Sequence, residues 1–273
     1  MLSMHNFVTL SLPDSHHCRY CIAGIEVISN RATNLPRDGF TDLQLSVVFT
    51  DPDAKNSYDY TSPKWREVPG LSKPKICLYT EGDKAVVLQD GLDQESCAIA
   101  IRRLVPFASA LQGEVILHAS AVTINNQVVC FIAESGSGKS TFAGALRNLG
   151  YPLICDDLLP CRSRDRVFMI PHVCGNSVSM LKISMICFLS RDAALTSSEL
   201  KTISPKECLK LLLLNGFGEM KDKAIWKRQF EAYGSLATMV KAYRLTIPDD
   251  LSLLEKTAIE LSLQFENITR TDH

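Results

Sequence analysis

Apolar positions along this chain change their period twice. From about Phe7 to Asp90 they come in short alternating runs: Cys21 to Ile28, Leu43 to Phe49, Lys75 to Tyr79 and Lys84 to Leu88. A two-residue repeat of that kind predicts strands. Turn chemistry separates them at Pro36-Arg37-Asp38-Gly39, Asp51-Pro52-Asp53 and Glu81-Gly82-Asp83. From Asp93 to Leu111 the spacing becomes helical, with Ala98, Ile101, Leu104 and Val105 on one face and Gly113 as the stop. Two apolar strand runs follow, Val115 to Leu117 and Val128 to Ile132. Ser140 to Leu149 returns to helical spacing through Phe142, Ala143 and Leu146, stops at Gly150, and leads into a strand from Pro152 to Cys155. Further strands are predicted at Ser184 to Leu189 and Tyr243 to Ile247, and helices at Pro205 to Leu214, Asp222 to Tyr233 and Leu251 to Leu263. The chain thus divides near residue 112. Residues 1–112 form a β-rich N-terminal module ending in a helix, and residues 113–273 an α/β domain with a mixed sheet.

The segment that joins the strand Val128–Ile132 to the next helix carries the chemistry. In VVCFIAESGSGKST a buried strand runs into a glycine-bearing loop, and Lys139, Ser140 and Thr141 open the helix. That is the layout of a phosphate-binding P-loop. Gly136 and Gly138 let the backbone curl so that several N–H groups aim at one anion. The helix N-terminus adds its own unsatisfied donors. Ser135, Gly136, Ser137, Gly138, Lys139, Ser140 and Thr141 are therefore the expected nucleotide-binding residues. Lys139 would reach the β- and γ-phosphates, and Ser140 would ligate Mg²⁺. Ala133 stands where the strict pattern has glycine, and it serves if its φ stays negative.

Asp156 and Asp157 follow the strand after the P-loop helix. At a strand end they would face the phosphates, one holding Mg²⁺ and the other accepting a proton from an attacking hydroxyl. His118 is expected near a strand end just before the P-loop strand, where it could hydrogen-bond a carboxylate and set its proton affinity. A cation should also cover the transferring phosphate, and Arg162, Arg164, Lys182, Arg228 and Arg244 are candidates among which the sequence does not choose.

Composition narrows the setting. The 273 residues are 46% hydrophobic and 22% charged, with a net charge of −1, so no basic surface points to nucleic acid or an anionic membrane. The N-terminus lacks a secretory signal pattern, and the apolar stretches at Met185 to Leu189 and Leu209 to Leu214 are too short to span a bilayer. A cytoplasmic protein is expected. Its ten cysteines then act as reduced, small hydrophobes. His16-His17-Cys18-Arg19-Tyr20-Cys21 looks like half a zinc site, but no second ligand pair at similar spacing completes it.

LHASAV, then IAESGSGKST, then ICDDL resembles the catalytic domain of the HPr kinase/phosphorylase family. The resemblance covers roughly residues 114–162. It implies a P-loop fold related to phosphoenolpyruvate carboxykinase, ATP and Mg²⁺ as cofactors, and transfer of the γ-phosphoryl group to a serine. By the resemblance, His118 sits beside the base, Lys139 and Ser140 bind phosphate and metal, Asp156 takes the acceptor proton, and Asp157 assists at the metal. It also allows for a homo-oligomer. Two departures stand out: Thr141 replaces the family's acidic residue after the P-loop serine, and no Glu-Arg-Gly-rich stretch follows the aspartate pair near Pro171 to Ile183. The overall build is more similar to HPr-kinase-like proteins of peptide-modification clusters, some of which phosphorylate the C-terminal serine of a lasso-peptide precursor. The expected partner is thus a peptide or small protein. Two other classes stay open: a kinase of a metabolite or free amino acid, and a nucleotide-binding regulatory protein without transferase activity.

Overall fold

The structure, a computed structural model, describes residues 18–22, 25–29, 43–50, 65–67, 75–79, 84–88, 92–112, 114–164, 167–174, 177–216 and 223–270. His16, His17, Gly113 and the turns expected at Pro36 to Gly39, Asp51 to Asp53 and Glu81 to Asp83 lie outside the described residues.

Six strands come first: β1 (Cys18–Ile22), β2 (Ile25–Ser29), β3 (Leu43–Thr50), β4 (Trp65–Glu67), β5 (Lys75–Tyr79) and β6 (Lys84–Leu88). They form one mixed sheet in the order β1-β2-β3-β6-β5-β4. The helix α1 (Gln94–Leu111) is capped by Asp93, whose side chain accepts from the Ser96 N–H at 2.7 Å. Its Ile101, Leu104, Val105 and Ala108 pack with Val27, Leu45, Val47, Ile76 and Val87 of the strands. The periods of two and of three-to-four read from the sequence therefore meet in one apolar layer.

A second, seven-stranded sheet follows, built from β7 (Val115–Ile124), β8 (Gln127–Ile132), β9 (Leu153–Arg164), β10 (Val167–Cys174), β11 (Ser177–Asp192), β12 (Glu199–Thr202) and β13 (Lys241–Pro248). Its order is β10-β9-β7-β8-β11-β13-β12, and β8, β11 and β13 are parallel neighbours. β7 runs antiparallel to both β8 and β9. β10 also pairs with the first part of β11, which closes β9, β7, β8, β11 and β10 into a ring. Helices α2 (Lys139–Asn148) and α5 (Leu254–Arg270) cover one face, and α3 (Pro205–Leu214) and α4 (Lys223–Met239) the other. The class is mixed α/β.

β8 shows why the run Val128 to Ile132 is apolar throughout. Val128, Cys130 and Ile132 join the core under α3 and α4, and Val129 and Phe131 the core under α2 and α5. A strand covered on both faces has no side left for water. Phe131 meets Phe142 of α2 edge to face at 5.1 Å and 86°, a contact worth about 0.5–1.5 kcal/mol beyond its buried area, which fixes the helix over the strand.

Several expectations need correction in extent. His118 is not at a strand end, because β7 continues from Val115 to Ile124 and pairs along its length with β8 and β9. Asp156 and Asp157 likewise lie inside β9, since Leu158 to Arg164 go on pairing after them. β11 starts well before Ser184 because its first half is a hairpin partner of β10. β12 was not foreseen: its four residues are half-buried or exposed, so no apolar repeat marks it.

Of the seven cysteines with described side chains, all but Cys155 are buried. Burial raises the Cys155 and Cys208 thiols to about 12, so both stay protonated and inert at neutral pH. Cys18 and Cys21 lie in β1. Among the described residues no group of three His, Cys, Asp or Glu side chains could hold a metal, and no helix is long and apolar enough to cross a membrane.

Candidate active site

β8 delivers the chain to the loop at Ala133, which keeps a negative φ, as the missing first glycine requires. Gly136 and Gly138 take φ of 81° and 95°, the left-handed conformation that a side chain disfavours. Gly138 is the N-cap of α2 and offers no side-chain cap, so the first N–H groups of that helix keep their donors for a ligand. Lys139 is only 6% exposed. Its ammonium folds back onto the loop and donates to the carbonyls of Ala133 at 2.7 Å and Glu134 at 3.1 Å. Burial lowers its proton affinity, while Asp157 and then Asp156 oppose that shift.

The acidic side of the site is assembled by strand pairing. β9 sets Asp156 opposite Ser120, Asp157 opposite Ala119 and Leu158 opposite His118. Regular alternation would send Asp157 to the face opposite Asp156. Its φ of 140°, in a region that favours glycine, turns it back, and both carboxylates line the same cavity. Buried Ser120 donates to Oδ1 of Asp156 at 2.5 Å. His118 Nε2 stands 3.5 Å from Oδ1 of Asp157, and Arg102, reaching over from α1, places a guanidinium nitrogen 3.6 Å from its Oδ2. Burial, then the Lys139 ammonium, pushes the His118 imidazole below its ordinary value, with Asp157 and Asp156 acting the other way. The imidazole is therefore neutral at pH 7 and faces Asp157 as a neutral ring. By the family resemblance His118 sits beside Asp156; its imidazole is 3.5 Å from Asp157 and feels the Asp156 carboxylate as well.

These groups surround one cavity of about 330 Å³, lined by His118, Ser120, Asp156 and Asp157 on one side and the loop on the other. Of the seven expected loop residues, Ser135, Gly136, Gly138, Lys139, Ser140 and Thr141 line it. Ser137 does not: its hydroxyl donates to the Glu134 carbonyl, and it borders a neighbouring cavity.

The candidate cations fall elsewhere. Arg162 pairs with Glu114, and Lys182 pairs in register with Met169 of β10; neither lines the cavity. Arg228 donates to the Leu111 carbonyl. Arg244 pairs with Glu207 at 2.5 Å, near the loop but outside the cavity of the carboxylates. Arg164 ends β9 opposite Val167. The arginine that does line the cavity is Arg191, at the C-terminal end of β11. Its guanidinium lies on Gly138 so closely that a Cβ there would fall 1.9 Å from a terminal nitrogen. Asp249 holds it from behind at 3.1 Å. Its sequence signal was its place after an apolar strand, because loops at C-terminal strand ends collect ligands in parallel sheets. Ser120 was signalled by lying two residues from His118 on a strand. Arg102 had no local signal.

The donors around the cavity are hydroxyl and carboxylate oxygens (Ser140, Thr141, Asp156, Asp157), the hard set that suits Mg²⁺ when phosphates complete its shell.

No family model matches this sequence, and no curated protein does. Among solved structures, the HPr(Ser) kinase/phosphatase from Coxiella burnetii shares 13% identity, covering 57% of this chain and 94% of that one, with a TM-score of 0.31. The likeness is weak.

Proposed function

We propose that this chain is an ATP-dependent phosphotransferase that moves a γ-phosphoryl group onto a hydroxyl, a serine of a peptide or small protein. One observation carries the reading: two adjacent carboxylates, a buried lysine and a glycine-curled helix N-terminus share a single cavity. A phosphate-binding loop alone would serve any nucleotide binder. The added carboxylate pair supplies what transfer to a hydroxyl needs.

The roles follow from what each group already touches. Asp157 is engaged on both oxygens, by His118 and Arg102. Asp156 is engaged through Oδ1 alone, leaving Oδ2 for the acceptor. Asp156 is thus the base, oriented by Ser120, and His118 positions Asp157. In the transfer the acceptor oxygen forms a bond to γ-phosphorus, the bond from that phosphorus to the β–γ bridging oxygen breaks, ADP leaves, and the hydroxyl proton passes to Asp156. Lys139 gives up its contacts with the Ala133 and Glu134 carbonyls for phosphate oxygens. Arg191 meets the phosphates from the far side of Gly138. Ser140 and Asp157 would hold Mg²⁺, which would supply neutralisation of phosphate charge. Catalysis is positioning and charge stabilisation.

Labelled ATP incubated with the full chain, Mg²⁺ and three acceptors tests this: serine-containing peptides, a lasso-type precursor ending in serine, and free serine. Label on a peptide serine is the expected result. Label on free serine alone would make the protein a metabolite kinase. Nucleotide binding without any labelled acceptor would leave only a nucleotide-binding regulator.

A further inference from the structure

A second cavity, of about 320 Å³, opens on the other flank of the same loop. Phe188, Leu189, Leu211 and Leu214 give it apolar walls, and Asn215 and Arg244 stand among them. The loop serves both cavities: Ala133, Glu134 and Ser137 border this one, and Ser135, Gly136 and Gly138 the other. Arg191 lines both, so the two spaces meet at its guanidinium.

The two chambers differ in chemistry. The first is ringed by hydroxyls, carboxylates and an ammonium. In the second the charge of Arg244 is already answered by Glu207, which leaves its flat guanidinium face as a stacking surface beside the leucines. An anion-binding chamber joined through one arginine to an apolar slot matches a ligand with an anionic tail and a flat apolar head. We propose that the slot holds the nucleoside of the phosphoryl donor. This rests on the reading of the first cavity as a triphosphate site.

Sheet order separates donor and acceptor. β9, with the carboxylates, lies two strands from β8 on one side, and β13 lies two strands from it on the other, about 10 Å each way. A donor lying across the loop therefore brings its γ-phosphoryl to Asp156 and its head to the slot between β11, β13 and α3. The acceptor enters from the open side, where Asp156 and Arg102 are exposed. The slot is walled by a helix and a sheet, which suits a compact head better than an extended chain.

Titration calorimetry with Mg·ATP and, separately, inorganic tripolyphosphate tests the proposal. Leu214→Asn changes a side chain that is 70% exposed and leaves the core intact, and Leu211→Trp fills the slot. Each variant should bind ATP about tenfold more weakly and tripolyphosphate within about twofold of the parent. A folded Leu214→Asn chain with unchanged ATP affinity overturns the proposal. So does a parent chain that holds tripolyphosphate as tightly as ATP, although the phosphate site would then stand. If these variants keep ATP affinity and raise only the KM for a peptide, the slot belongs to the acceptor. A parent chain that binds neither probe defeats the phosphotransferase reading itself.

Discussion

The phosphate loop and the carboxylate strand line the same cavity but are built in different ways. The loop carries its own geometry: a doubly covered strand, two glycines with positive φ and a helix start follow one another within fourteen residues, from Val128 to Thr141. The carboxylate side borrows its geometry. Asp156 and Asp157 become a pair facing one way because β7 sets the register, a residue of β9 departs from extended backbone, and α1 brings Arg102 across. A motif is self-sufficient where the chain supplies its own backbone shape, and dependent where neighbours supply it.

The largest test of that contrast is Lys139→Ala. It removes the ammonium that lines the cavity and should cut transfer roughly a thousandfold, the scale of losing one preorganised charge. It should also weaken ATP binding. Asp156→Asn should cost transfer by about 10²–10⁴-fold, the range for a general base, with ATP affinity near that of the parent. Single-turnover kinetics beside equilibrium binding separates the two. An Asp156→Asn chain with parental turnover would remove Asp156 from the base role.

Next come the glycines. Gly138→Ala meets both the strain of φ 95° and the Arg191 guanidinium, whereas Gly136→Ala meets only the strain of φ 81°, with nothing within 4 Å. Gly136→Ala should cost about 1–2 kcal/mol in urea unfolding. Gly138→Ala should cost more and should also displace Arg191, weakening tripolyphosphate binding. Equal effects at both positions would mean that Arg191 does not rest on the loop.

The same contrast explains what could be read in advance. α1, α3, the loop and α2 were legible because Asp93, Ser204 and Gly138 mark their starts and apolar spacing marks their faces. α5 was legible too, although a 3₁₀ turn, Leu251–Leu253, precedes it and it runs on to Arg270. What could not be read was everything set by pairing: the length of β9, the two-sided role of β11, and Asp157 turning into the cavity. The Asn125-Asn126 turn, with φ of 50° and 59°, fixes the β7–β8 register and so places Ser120 relative to the loop. Arg191 escaped because its role depends on β11 lying beside β8, a fact of topology.

Asp157 offers a finer test, because its strained backbone separates stability from function. At φ 140° an alanine keeps the strain and loses the carboxylate, while a glycine loses both. Asp157→Gly should therefore be more stable than Asp157→Ala by about 1 kcal/mol, since strain of this kind is worth about 1–3 kcal/mol and glycine's freedom in the unfolded chain returns part of it. Both should be equally inactive. If the alanine variant is the more stable, Asp157 is not held against its backbone preference, and the convergence of the carboxylates has another origin.

The smallest effect belongs to His118. In the folded chain burial, then the Lys139 ammonium, holds its imidazole below the ordinary value of 6.5, and Asp157 and Asp156 offset this only in part. The unfolded chain therefore takes up a proton first as pH drops. Unfolding is favoured by that uptake, so this residue's contribution to stability is level above about pH 6.5 and declines as pH falls toward the folded value. His118→Gln removes the titration. Urea midpoints between about pH 7.5 and pH 5.5 should then fall more for the parent than for the variant, the difference cancelling the other histidines. Identical slopes would mean that the ring is as free to protonate in the cavity as in water, and that neither Lys139 nor the cover of β7 and β9 bears on it.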